Sequence, residues 1–344
     1  MNKRTRVLFA SGLTIAIFLG VQLGALALVE PFESAGYQTV EDPSDPTNSL
    51  VYVGVILVFT AGMLAVIKLG VEWILRAVII LTSGMLSLFV FSVVIPSVVE
   101  VTVGGAPVNV IAWIAAGLVA LALAVYPEWY VIDTAGVVMG AGAAGLFGIS
   151  FGLLPAIILL AVLAIYDAIS VYGTEHMLTL ASGVMDLKIP VILVIPMTLS
   201  YSFLEDTAQA TSEGAVSPDE ESTEASKSDA TSESDDPAEA SESDDGEDVR
   251  DAFFIGLGDA VMPTVLVASA AFFSPADPLV SGLALNLPAL TAMVGTLAGL
   301  VVLLWLVLKG RAHAGLPLLN GGAIGGYLVG ALASGISLVQ AVGL

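Results

Sequence analysis

Three aspartates lie within otherwise apolar stretches of this chain: Asp133, Asp167 and Asp259. An ionisable group in such a setting is costly, so its presence points to work. The sequence holds no cysteine and only two histidines, His176 and His313, which removes thiol chemistry, disulfides and any His- or Cys-rich metal centre. No cofactor and no metal are expected. What remains is carboxylate chemistry. Two carboxylates a few Å apart in a medium of low dielectric cannot both ionise, so they share one proton. One then takes a proton from water while the other gives a proton to a carbonyl oxygen, a division of labour suited to hydrolysis without a covalent intermediate. The same pair would also serve a proton- or cation-conducting path, or bond two helices together. Spacing alone leaves all three readings open.

The elements that must position these groups are membrane helices. Of the 344 residues 57% are hydrophobic and 12% charged, with a mean hydropathy of +0.94. A globule of this size cannot bury so much apolar chain, and a lipid bilayer can. Nine segments are apolar over roughly the 20 residues a crossing needs: 7–29, 49–69, 73–95, 108–126, 130–149, 151–173, 252–273, 286–308 and 316–340. The first exceeds the apolar length of a secretory signal and reads as a retained anchor. The fifth carries Gly136, Gly140, Gly142, Gly145 and Gly148, poor for helix propensity but suited to close helix packing in lipid. The expected fold is therefore an all-α, multi-pass protein of the cell membrane.

Orientation follows from the ten basic residues. With the N-terminus in the cytoplasm and nine crossings, Lys3, Arg4, Arg6, Lys68, Arg76, Lys188, Lys227, Arg250, Lys309 and Arg311 all fall inside, and the C-terminus lies outside. The net charge of −22 is local: residues 205–251 hold eighteen acidic residues against Lys227 and Arg250. This charge repels nucleic acid. Its Ser-, Glu- and Asp-rich composition reads as a disordered loop. The chain thus divides into a six-helix part at 1–173, an interfacial helix and a strand-like segment at 174–204 that includes Ile189–Ile195, the acidic loop at 205–250, and a three-helix part at 251–344.

The sixth span places Asp167 about six residues from its cytoplasmic end, and the seventh places Asp259 about seven from its own, so both sit at roughly 10 Å depth. Asp133, near the start of the fifth, reads as a helix-start residue within reach of interfacial water. Around the pair the chain reads Ala164-Ile165-Tyr166-Asp167-Ala168 and Gly256-Leu257-Gly258-Asp259-Ala260. A Tyr-Asp followed by a Gly-Leu-Gly-Asp in the next hydrophobic span resembles the presenilin and signal peptide peptidase family of intramembrane aspartyl proteases, with the match closest to its archaeal presenilin homologues. That family carries a Pro-Ala-Leu motif opening its last span. The corresponding position here is Gly315-Leu316-Pro317, without the leading Pro-Ala; a literal Pro288-Ala289-Leu290 lies at the other end of the eighth span.

The resemblance implies an aspartic endopeptidase with Asp167 and Asp259 catalytic. It places Tyr166, Gly256, Leu257, Gly258, Gly315, Leu316 and Pro317 around the pair or the substrate. It implies transmembrane-helix peptides as substrates, and the bilayer as surroundings. A helical substrate must unwind before hydrolysis, and the Ile189–Ile195 segment and the Leu316 region are the candidates to pair with it. On residue chemistry alone, Gly256 and Gly258 clear space beside Asp259 or serve helix packing, and Tyr166 flanks the pair or acts as an interfacial aromatic. Gly315-Leu316-Pro317 is expected to be an irregular entry to the last span, and Gly321, Gly322, Gly325, Gly326 and Gly330 to pack that span on its neighbours.

Overall fold

The structure is a computed structural model and describes residues 3–69, 71–103, 106–173, 192–198, 201–204, 252–280, 282–309 and 314–344. The expected interfacial helix, residues 189–191 of the strand-like segment and the acidic loop lie outside the described residues. Among the described residues, ten helices run in the order α1 (Lys3–Ser34), α2 (Thr47–Lys68), α3 (Glu72–Val94), α4 (Val110–Val125), α5 (Trp129–Ser150), α6 (Leu153–Gly173), α7 (Leu257–Phe273), α8 (Leu287–Val307), α9 (Gly315–Ala333) and the short α10 (Leu338–Ala341). Seven of them, α1, α2, α3, α5, α6, α8 and α9, are long and apolar enough to cross a membrane. The other two predicted spans correspond to the shorter apolar helices α4 and α7.

The all-α expectation needs correcting in one respect. Among the described residues, three two-stranded antiparallel sheets join the helices: β1 (Glu100–Val103) with β2 (Ala106–Asn109), β3 (Ile192–Pro196) with β4 (Ala252–Gly256), and β5 (Pro278–Val280) with β6 (Leu283–Asn286). The second sheet matters most. Its register pairs Ile192 with Gly256 and Pro196 with Ala252. The expected seventh span, 252–273, is therefore a strand for its first five residues and a helix only from Leu257. Ala-Phe-Phe-Ile-Gly is rich in β-favouring residues, and pairing with Ile192–Pro196 satisfies its backbone. Gly256 and Gly258 make a helical start further upstream poor.

Helix α5 is the centre of the bundle because its glycines let neighbours come close. A Cβ on Gly145 would lie 3.2 Å from the Phe32 ring of α1, and one on Gly140 would lie 3.3 Å from Leu257 and Val261 of α7. At Gly148 a Cβ would fall onto Ala268 of α7. The stripe that weakens α5 as an isolated helix thus makes it the most enclosed of the long ones.

Polar side chains in the interior tie helices together through backbone carbonyls. Asn320 Nδ2 donates to Leu160 O at 3.0 Å, fixing α9 to α6. Ser269 Oγ donates to Phe151 O at 2.7 Å, fixing α7 to the α5–α6 junction. Asn286 caps α8 by accepting from Ala289 N at 2.9 Å, while its Nδ2 donates to Ala270 O at 2.8 Å at the end of α7. In this capped turn Pro288-Ala289-Leu290 opens α8. Leu160, Leu266, Ala289, Ala323 and Tyr327 belong to one buried apolar cluster joining α6, α7, α8 and α9.

Candidate active site

Asp167 sits on α6, six residues before its last residue, and is 8% exposed. Its Oδ2 accepts a hydrogen bond from Leu316 N at 3.0 Å. The Gly315 amide faces the same carboxylate. The first amides of any helix have no partner within it and carry the positive end of its dipole, so a carboxylate belongs there.

This arrangement corrects the expected irregular entry at Gly315-Leu316-Pro317. Helix α9 begins at Gly315, directly after an extended Ala314 (φ −65°, ψ 124°). Pro317 falls in its first turn, where a missing N–H is no loss. The unpaired amides of Gly315 and Leu316 are the ones that meet Asp167.

Asp259 lies in the first turn of α7, not two turns inside a longer helix as the sequence suggested. Strand β4 supplies the missing length. Asp259 as a residue is half-buried, and its carboxylate is within electrostatic reach of Asp167. A Cβ on Gly256 would lie 3.5 Å from Asp259 Oδ2, and one on Gly315 would lie 3.7 Å from the same atom. Two glycine backbones thus flank one carboxylate with no side chain between, and Gly315 touches the surroundings of both aspartates.

The remaining expected residues divide. Leu257 turns away from the pair and packs on the α5 stripe, 3.3 Å from the position a Gly140 Cβ would take. Gly258 faces open space, with nothing within 4 Å of a Cβ placed there, so it leaves room near Asp259 without contacting a neighbour. Tyr166 is 49% exposed, one residue round the helix from Asp167. Asp133 is buried, contrary to the expectation that it reaches water, and its Oδ1 accepts from Val194 N of β3 at 2.8 Å. Glu128, which sequence reasoning passed over, is also buried and accepts from Ser202 Oγ at 2.7 Å and Phe203 N at 3.1 Å. The only signal for either was the rarity of carboxylates beside an apolar helix.

Residues 15–336 match the family model described as signal-peptide peptidase, presenilin aspartyl protease. The chain belongs to this family. Two solved structures of a presenilin family intramembrane aspartate protease, in C222 and P2 crystal forms, are similar to it. Both are 32% identical and cover 93% of this chain, with 97% and 96% of their own chains covered and TM-scores of 0.60 and 0.54. No curated protein matches the chain in sequence. As a presenilin-family member it is a multi-pass membrane protein and an aspartic endopeptidase.

Gly315→Ala fits the space available, since its Cβ would rest 3.4 Å from Leu303 and 3.7 Å from Asp259 Oδ2. Gly315→Val adds two branches that crowd both, and is expected to lower peptide cleavage about tenfold or more with little change in melting temperature. Wild-type cleavage rates in Gly315→Val would place this backbone outside the site.

Proposed function

We propose that Asp167 and Asp259 form an acid–base pair that activates water to hydrolyse peptide bonds within transmembrane segments or remnant signal peptides. The observation that carries this reading is the convergence of both carboxylates, from two separate helices, on the backbone at Gly315 of a third. One carboxylate removes a proton from water as it attacks the peptide carbonyl. The other protonates the carbonyl oxygen, and the proton then passes to the leaving amine. The Gly315 and Leu316 amides hold Asp167 in place, and the bare backbones at Gly256, Gly258 and Gly315 leave room for an unwound substrate. Tyr166 and Pro317 border this space.

A proton- or cation-conducting path through the same carboxylates finds no support in the helices that carry them. The hydroxyls of Thr264 and Ser269 in α7 are buried and donate to the carbonyls of Ala260 and Phe151 at 2.6 and 2.7 Å. Each is used within the bundle. The deciding experiment reconstitutes the protein in liposomes with a single-span reporter helix and identifies products by mass spectrometry. Cleavage within the apolar stretch is the expected result. An intact reporter alongside proton flux would replace the protease reading with the transporter.

We also infer nine crossings, with the N-terminus cytoplasmic and the C-terminus outside. Helices α4 and α7, of 16 and 17 residues, span about 24–26 Å, close to the hydrocarbon thickness. The distribution of all ten basic residues supports this orientation. Because the chain lacks cysteine, single replacements report topology cleanly. Ser44→Cys, Asp277→Cys and Gln340→Cys are expected to react with an impermeant maleimide from outside intact cells, and Leu69→Cys only after permeabilisation. The reverse pattern would invert the topology.

A further inference from the structure

Both buried carboxylates at the start of α5 are bonded to one stretch of chain, and that stretch lies between the two aspartates in sequence. Asp133 Oδ1 accepts from Val194 N of β3 at 2.8 Å. Glu128 occupies the N-cap position of α5 yet makes no cap bond to its own helix. Its two oxygens accept from Ser202 Oγ and Phe203 N instead. Apolar packing follows the same line, with Ile132 and Ala135 of α5 clustered with Val194, Phe203 and Ala252. A Cβ on Gly136 would approach Leu193 to 2.9 Å, so this glycine lets β3 lie close on the helix.

We propose that Asp133 and Glu128 are positioning residues for the Asp167–Asp259 pair, acting through β3 and β4. The inference rests on the hydrolytic role proposed above for that pair. Val194 pairs with Phe254 in the β3–β4 register. In an antiparallel ladder, alternate residues direct their amides away from the partner strand. The Val194 amide is such an outward group, and Asp133 supplies its acceptor where an unpaired edge N–H is costly. Strand β3 held in this way aligns β4, whose last residue Gly256 caps α7 and lies against Asp259. The chain of contacts therefore runs from Asp133 of α5 through two strands to the Asp259 carboxylate.

Three variants and a cycle test this. Asp133→Ala removes the acceptor and is expected to lower kcat for the reporter helix about ten- to a hundredfold, with KM within about twofold. Asp133→Asn keeps an oxygen facing Val194 and is expected to stay within about threefold of wild type. Val194→Pro removes the donor while leaving the β3–β4 ladder intact, since proline is tolerated where the amide points out of a sheet. It should resemble Asp133→Ala, and the double variant should be no worse than either alone.

Hydrogen–deuterium exchange on residues 192–196 supplies a readout independent of cleavage, expected to be faster in Asp133→Ala and close to wild type in Asp133→Asn. A wild-type protein that cleaves nothing would sink the hydrolytic reading, and exchange alone would then judge the clamp. The proposal is overturned if Asp133→Asn is as impaired as Asp133→Ala, if the two losses add, or if exchange in the strand is unchanged. Should Asp133→Ala fail to fold, Asp133→Asn and Val194→Pro carry the same test.

Discussion

Asp167→Asn and Asp259→Asn are each expected to reduce cleavage of a transmembrane reporter by about a thousandfold or more, with the protein still folded. Asparagine has the shape of aspartate but neither takes nor gives a proton at working pH. At position 167 it still offers an oxygen to the Leu316 amide, which now donates at 3.0 Å. The docking of α9 on α6 should therefore survive, helped by the Asn320 bond to Leu160. Alanine is a less clean probe at this site. It would strand the Gly315 and Leu316 amides at a helix start and cost about 1–3 kcal/mol for a buried donor left unpaired. On the proposal that the two carboxylates share one proton, the double asparagine variant should be no slower than either single one. Turnover retained in either folded variant would remove that residue from the catalytic pair.

Gly322→Leu is expected to cost about 3 kcal/mol or more and to abolish cleavage with it. The reason is backbone contact between α8 and α9. A Cβ on Gly322 would run into the Gly295 carbonyl, one on Gly326 into the Thr291 carbonyl, and one on Gly299 into the Leu318 carbonyl. Glycines four residues apart on both helices let the two backbones touch, the packing mode that lipid favours in the absence of a hydrophobic driving force. Leucine at 322 must push α9 away from α8, and α9 carries the Gly315 and Leu316 amides that hold Asp167. Gly325→Leu is the matched control, because nothing lies within 4 Å of a Cβ at that position. It should leave both thermal melting and cleavage close to wild type. Equal behaviour of the two leucine variants would show that α9 is not seated on α8 through this face.

These two glycines illustrate the limit of reading from sequence. Gly321, Gly322, Gly325, Gly326 and Gly330 look alike as a packing stripe. The structure separates them: Gly322, Gly326 and Gly330 meet α8, while Gly321 and Gly325 face open space. Helical periodicity allows such a split, but which face meets a neighbour depends on that neighbour. The same holds for Asp133. An aspartate near a helix start suggests a cap or a wet interface, and only the arrival of β3 gives it an amide to hold.

The membrane class, the rough extent of the apolar segments and the two aspartates proposed to react were legible in the residues alone. Lipid forbids unsatisfied charge, so each carboxylate within an apolar run is conspicuous without any neighbour being known. Tertiary structure alone decided that the seventh segment begins as a strand, that α9 starts at Gly315 with its first amides on Asp167, and that α5 bonds to the chain between the helices that carry Asp167 and Asp259. Each of those outcomes turns on a backbone donor finding an acceptor far away in the chain. Such a partner is chosen by packing, and no local pattern encodes it.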